Sequence, residues 1–221
     1  MTRDNTDAAG DRTQEPDDAK AERLRDVTSA EAILRMLLDG NQRFVNAKPR
    51  HRRDIHAARA AAAEQHPLAA VFTCVDSRVT VESLFDCDFG QLIVVRTAGH
   101  VADRAAVGSL EFAVDEFDVP LVVVLGHERC GAIATALDVI ADDPQTVTGG
   151  SAAYLADRLR PPATKALKTR PRDASSAAVR FQVEDTVAAL RERLEEDMEQ
   201  DVVVVGACYD LDAGTVQIVV R

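Results

Sequence analysis

No uninterrupted apolar run in this 221-residue chain approaches the roughly 20 residues that a bilayer-spanning helix needs. The N-terminus also lacks the apolar stretch of a signal peptide, since "MTRDNTDAAGDRTQEPDDAKAE" is charged along its length. These two absences lead us to expect a cytoplasmic protein with no membrane association. Basic residues are outnumbered, 26 against 37 acidic, for a formal net charge of −11. A nucleic-acid groove or an anionic membrane contact would have to be built against that field, so neither partner is expected. Lysine is scarce: it occurs only at 20, 48, 165 and 168, against 22 arginines, a bias that suits a high-salt cytoplasm and a GC-rich genome equally. There are only four cysteines, at 74, 87, 130 and 208, and they are widely spaced. Without an export signal this points to reduced thiols or metal ligands rather than disulfides.

What is present bounds the architecture. With 46% hydrophobic residues the chain is long enough for one α/β domain and short for two. Residues 1–22 carry seven acids and three bases and almost nothing apolar, the composition of a disordered arm, so a single domain over 23–221 is expected. Thr28-Ser29-Ala30-Glu31 reads as a capping box, after which Ile33, Leu34, Leu37 and Leu38 recur at helical spacing until Gly40 supplies a stop. The apolar face of this helix is one that a small chain can hide on a neighbouring copy. "HPLAAVFTC", "QLIVVRTAG" and "VPLVVVLGH" read as buried strands, with helical patterns in "TVESLF", "VGSLEFAVDEF" and "GAIATALDVIA" between or after them. Strands apolar on both faces that alternate with helices imply a mostly parallel sheet flanked by helices. Residues 142–175, scattered with Pro, Gly, Ser and Thr, read as a long irregular connection. Val183, Val187, Leu190, Leu194 and Met198 mark one face of a long helix, and "DVVVVGACYDLDAGTVQIV" reads as a C-terminal edge strand or hairpin. There is no internal repeat.

Two strand ends carry chemistry. In "LVVVLGHERCGA" an apolar strand ends on His127, and Cys130 follows three residues later; in "VFTCVDSRV" another strand ends on Cys74, with Asp76 and Arg78 just beyond. Ligands of open parallel sheets sit at the carboxyl ends of strands, so Cys74 and His127 can face one crevice. The spacing His127-x-x-Cys130 lets both side chains reach one ion across a tight turn, and a Cys2His set suits zinc, with the fourth tetrahedral position left for water. Helix N-terminal amides near Cys130 would favour its thiolate. A core cysteine and a hydrogen-bonded histidine are the plain alternative for H-x-x-C alone. A phosphatase-like cysteine nucleophile at Cys74 would need a glycine-rich anion loop that "VDS" does not provide. A purely structural zinc site would call for a fourth Cys or His, and none is near, although Asp76 can serve.

"CVDSRV" followed by "GHERCGA" resembles the β-class carbonic anhydrases. The likeness continues through "LLDGNQRF" at 37–44, "VVRTAGH" at 94–100, "GSLEFAV" at 108–114 and "VVGACYDLDAGTV" at 204–216, leaving the acidic arm and 142–175 unmatched. The resemblance implies that Cys74, His127 and Cys130 hold one Zn2+ per chain, that Asp76 with Arg78 is a catalytic dyad, and that Gln65 in "EQHP" holds substrate, as a glutamine does in one subclass. It also implies a homodimer or a dimer of dimers, with Gln65 and Phe112 near the shared site. Val75 stands where a serine is usual, Thr97 and His100 where asparagines are common, and Phe112 where a tyrosine is frequent.

The expected activity is reversible hydration of carbon dioxide to bicarbonate and a proton by zinc-bound hydroxide; carbonyl sulfide or carbon disulfide hydrolysis on the same site and a non-catalytic zinc-stabilised protein are the alternatives. Asp76 can accept a hydrogen bond from the zinc-bound water while Arg78 pairs with it bidentately and keeps it off the metal. Gln65 favours the subclass whose site stays open. Cys87 and Cys208 match no ligand position. His66 and His100 are proton relays or ordinary loop histidines, and "KPRHRRDIH", with His51 and His56, reads as a solvated face or subunit contact.

Overall fold

The computed structural model of the chain describes residues 29–142, 150–169, 171–196 and 201–221, so the acidic arm and Met198 lie outside the described residues. Five strands form one sheet in the order β2-β1-β3-β4-β5. The strands are β1 (Ala69–Cys74), β2 (Leu92–Thr97), β3 (Leu121–His127), β4 (Val203–Tyr209) and β5 (Val216–Val220). The first four run parallel and β5 closes the edge antiparallel to β4. The hairpin is therefore as expected, with its β4 in the interior and its β5 at one edge of the sheet, opposite β2 at the other.

Period-two alternation sorts each strand between two cores. Val71, Val123 and Leu125 pack on one face with Leu34 and Leu37 of α1 (Ala30–Val45) and Leu84 of α3 (Val81–Leu84). Phe72, Val122, Val124 and Val204 pack on the other with Leu110 and Val114 of α4 (Arg104–Phe117) and Val183 and Val187 of α7 (Ala174–Arg191). The short α2 (Ile55–Ala60) precedes β1, and α5 (Gly131–Asp142) follows β3. The apolar face of α1 is thus spent on its own sheet rather than on a neighbour.

Three readings need correction. The N-cap of α1 is Ser29, which accepts from the Ala32 amide, and the helix runs through Gly40 to Val45. Gly40 is there for closeness rather than as a stop, because a Cβ on it would lie 1.8 Å from the Phe85 carbonyl oxygen. Within 142–175, residues Gly150–Thr169 form a 20-residue helix, α6, despite Pro161 and Pro162 inside it. Each proline forfeits a backbone hydrogen bond, but Leu159, Ala163 and Ala166 bury against Ile133 of α5 and Val179 of α7, and this packing outweighs local propensity. The basic stretch, finally, is not simply solvated. It wraps the fully buried carboxylate of Asp86, which accepts from Arg43 Nε at 2.6 Å and from the amides of Arg50 and His51, with Arg53 Nη1 at 3.6 Å.

Candidate active site

β1 and β3 are parallel neighbours in register, Thr73 opposite Leu125, so their carboxyl ends coincide and bring Cys74 beside His127. Arg129 takes a left-handed backbone (φ 51°) that turns the chain back and delivers Cys130 at the start of α5. The ligand atoms of Cys74, His127 and Cys130 lie within 4.8 Å of one another and all three residues are buried. The two sulfurs are 3.8 Å apart.

This trio fits a soft cation. His127 Nδ1 lies 2.9 Å from the Glu128 carbonyl, which fixes it as the donor, and leaves Nε2 buried with no partner. The Gly99 amide, freed by a backbone at φ 62°, donates to Cys74 Sγ at 3.3 Å. Of the two adjacent thiols, Cys74 is pulled toward the thiolate chiefly by the Cys130 thiol and further by the nearby His127 ring and the backbone amides of Asp76 and Gly99, against the cost of burial. Cys130 is pushed up by the neighbouring sulfur and by burial. The amides of Ala132 and Ile133 act on Cys130 in the expected direction but do not prevail. Two thiolates at this separation require a cation between them, and the donor set is the one zinc takes.

Beside the trio lies the ion pair. Arg78 Nε donates to Asp76 Oδ1 at 3.0 Å and Nη2 to Oδ2 at 2.7 Å, while the Arg78 amide also reaches Oδ1. The arginine, chiefly through its side-chain hydrogen bonds, holds Asp76 well below the usual carboxylate range. Arg78 Nη2 further donates to the Arg129 carbonyl, joining the pair to the loop between His127 and Cys130. Asp76 Oδ2 stands 4.0 Å from His127 Nε2, facing the trio.

The remaining residues fall outside this cluster. Gln65 is exposed and lines a groove of about 830 Å³ on the outer edge of β2, with Arg96, Ser109 and Phe112. His100 is fully buried, neither ring nitrogen has a partner, and burial holds it neutral down to about pH 4, so it is not a solvent-facing relay. His66 is exposed, 3.5 Å from Glu64. Burial pushes Cys87 up to about 12 and Cys208 up to about 11, and neither belongs to the trio. Gly99, Arg96 and Arg129 went unread in the sequence as members of the site's frame. The run "VVRTAGH" contained the first two, but their contacts cross to β1.

A family model described as Carbonic anhydrase matches residues 69–216. Carbonic anhydrase 2 of Mycobacterium tuberculosis is 42% identical over 195 residues, 85% of this chain and 91% of that protein. The carbonic anhydrase of Mycolicibacterium smegmatis is 45% identical over 131 residues, 59% of this chain and 63% of that one. Among solved structures, a Coccomyxa β-carbonic anhydrase in complex with acetazolamide aligns with a TM-score of 0.65 at 25% identity, over 76% of this chain and 78% of that chain.

Proposed function

This chain belongs to the β class of the carbonic anhydrase family, and we propose that Cys74, His127 and Cys130 hold one zinc ion per chain while Asp76 and Arg78 orient the reacting water. Its reaction is the reversible hydration of carbon dioxide to bicarbonate and a proton. The observation that carries the site assignment is the buried His127 ring, its Nε2 without a partner, with a ring nitrogen within 4.8 Å of two cysteine sulfurs. When bound there, zinc supplies the Lewis acidity that brings the pKa of water from 15.7 toward about 7.

The protein's own groups do the aiming. Asp76, kept ionised by Arg78, is an acceptor only, so it takes a hydrogen bond from the attacking water and turns a lone pair toward the carbon. Arg78 occupies both carboxylate oxygens and thereby keeps Asp76 from becoming a fourth ligand, which supports an open resting site. Gln65, which lies outside its own chain's cluster, donates its amide to a substrate oxygen across the boundary shared with a second copy. The apolar edge strand β2 is half-exposed, and Phe112 beside it is 56% exposed; a second copy of the chain covers this edge in a homodimer or dimer of dimers, placing Gln65 and Phe112 at the shared boundary. No helix among the described residues is long and apolar enough to cross a membrane.

Stopped-flow carbon dioxide hydration by the zinc-loaded protein, alongside Arg78→Ala, tests the reading. The expected result is fast hydration by wild type and loss of most turnover in the variant at full zinc, with Asp76 moved onto the metal in the zinc-edge spectrum. Wild-type turnover in Arg78→Ala would refute the role given to the pair.

A further inference from the structure

The ladder between β1 and β2 ends at Cys74 opposite Thr97, with one more bond from the Val75 amide to the Thr97 carbonyl. Asp76 lies beyond the sheet. Val75, between the metal ligand and the dyad carboxylate, is 55% exposed, so apolar packing does not fix it. What grips this segment is a side chain from the neighbouring strand. Arg96 Nε donates to the Cys74 carbonyl at 2.9 Å and Nη2 to the Asp76 carbonyl at 2.5 Å. One planar guanidinium therefore spans the two carbonyls that flank Val75, from a residue whose backbone is locked opposite Thr73.

We propose that Arg96 is a positioning residue for the hydration reaction: by gripping both carbonyls it sets where the Asp76 carboxylate stands relative to the cysteine ligand of Cys74. This rests on the role given to Asp76 above. Asp76 is otherwise held by the Val79 amide to its carbonyl and by the Arg78 amide, Nε and Nη2 to its carboxylate. These come from the same tight turn, which Arg78 Nη2 also links to the Arg129 carbonyl; Arg96 is what ties the turn's backbone to β2. Lysine cannot replace it, because an ammonium on a flexible stem lacks the rigid fork that reaches two acceptors at once. A displacement of about 1 Å in a reacting group costs about a hundredfold in rate, so loosening this tie is expected to lower kcat by about tenfold to a hundredfold. The ligand atoms themselves are buried at the ends of β1 and β3 and just before α5, and zinc content is expected to stay at the wild-type level.

The test compares Arg96→Gln, Arg96→Lys, Asp76→Asn and the Arg96→Gln/Asp76→Asn double variant. It measures kcat and KM at full zinc, metal content, oligomeric state, and amide hydrogen exchange at Arg78 and Val79 in the metal-free protein. The expected result is a kcat loss with little change in KM for both Arg96 variants and faster exchange at those two amides. The double variant is expected to be no slower than Asp76→Asn alone, because Arg96 acts through Asp76. Wild-type kcat in Arg96→Lys, unchanged exchange, additive losses in the double variant, or a loss that merely tracks lost zinc or lost assembly overturns the proposal. If Asp76→Asn itself keeps wild-type turnover, it is the reading of the dyad that fails, which is a separate outcome.

Discussion

Replacing Asp86 by asparagine removes one buried charge while keeping the side chain's shape, and the structure sets the size of the effect. The carboxylate has no solvent exposure and faces Arg43 at 2.6 Å and Arg53 at 3.6 Å. Burial alone would raise its pKa, but the hydrogen bonds from Arg43 and the amides of Arg50 and His51 outweigh it and hold the group at about 2, against an ordinary 3.8. Each pKa unit is worth about 1.4 kcal/mol, so the charged form contributes about 2 kcal/mol to folding at neutral pH. The sign follows from the depressed pKa: the contribution is complete above about pH 5 and disappears as the pH falls through 4 toward 2. Asp86→Asn also leaves a half-buried arginine without its partner, so a loss of about 2–4 kcal/mol at pH 7 is expected. For a domain of this size that amounts to a melting temperature lower by roughly 5–12 °C. Urea unfolding of both proteins at pH 7 and pH 3 provides the assay. Acid also expels metal from thiolates, but it does so in both proteins, so the difference between them isolates Asp86. A difference under about 0.5 kcal/mol at pH 7, or one that does not shrink on acidification, would refute the reasoning.

Cys74→Ser, His127→Ala and Cys130→Ser are each expected to lose zinc, measured as metal per chain after gel filtration; full retention by all three would remove the proposed centre. Gly40→Ala puts a carbon 1.8 Å from the Phe85 carbonyl oxygen, so α1 must shift off α3, with an expected loss of more than about 2 kcal/mol in denaturant unfolding. Phe112→Glu charges the groove on the β2 edge and is expected to shift sedimentation toward monomer, and a wild type that is itself monomeric and fully active would contradict the assembly.

How much of this was legible in the sequence depended on whether the relevant contact was local. Cys74 and His127 could be paired because a buried parallel strand has no use for a polar residue until it ends, and the two apolar runs ended on them. The strand positions followed from the same apolar runs. Gly40 misled because a glycine after four helical apolar residues looks like a stop, whereas its partner, the Phe85 carbonyl, is 45 positions away in the chain. The prolines of α6 misled in a similar way, since composition reports local cost and says nothing of the packing against α5 and α7 that offsets it.

Arg96 and Asp86 show the limit most plainly. Neither carries a ligand or dyad spacing of its own, and each acquires its role only when a second segment, 22 positions back for Arg96 and 36 for Asp86, is brought against it. The chemistry was visible because ligand spacing is a short-range property. The frame that aims it was hidden because the fold assembles it from residues that no motif places together. A family motif therefore identifies the groups that react, while the residues that hold them at working distance, such as Arg96 across β2, become visible only from the register of the sheet.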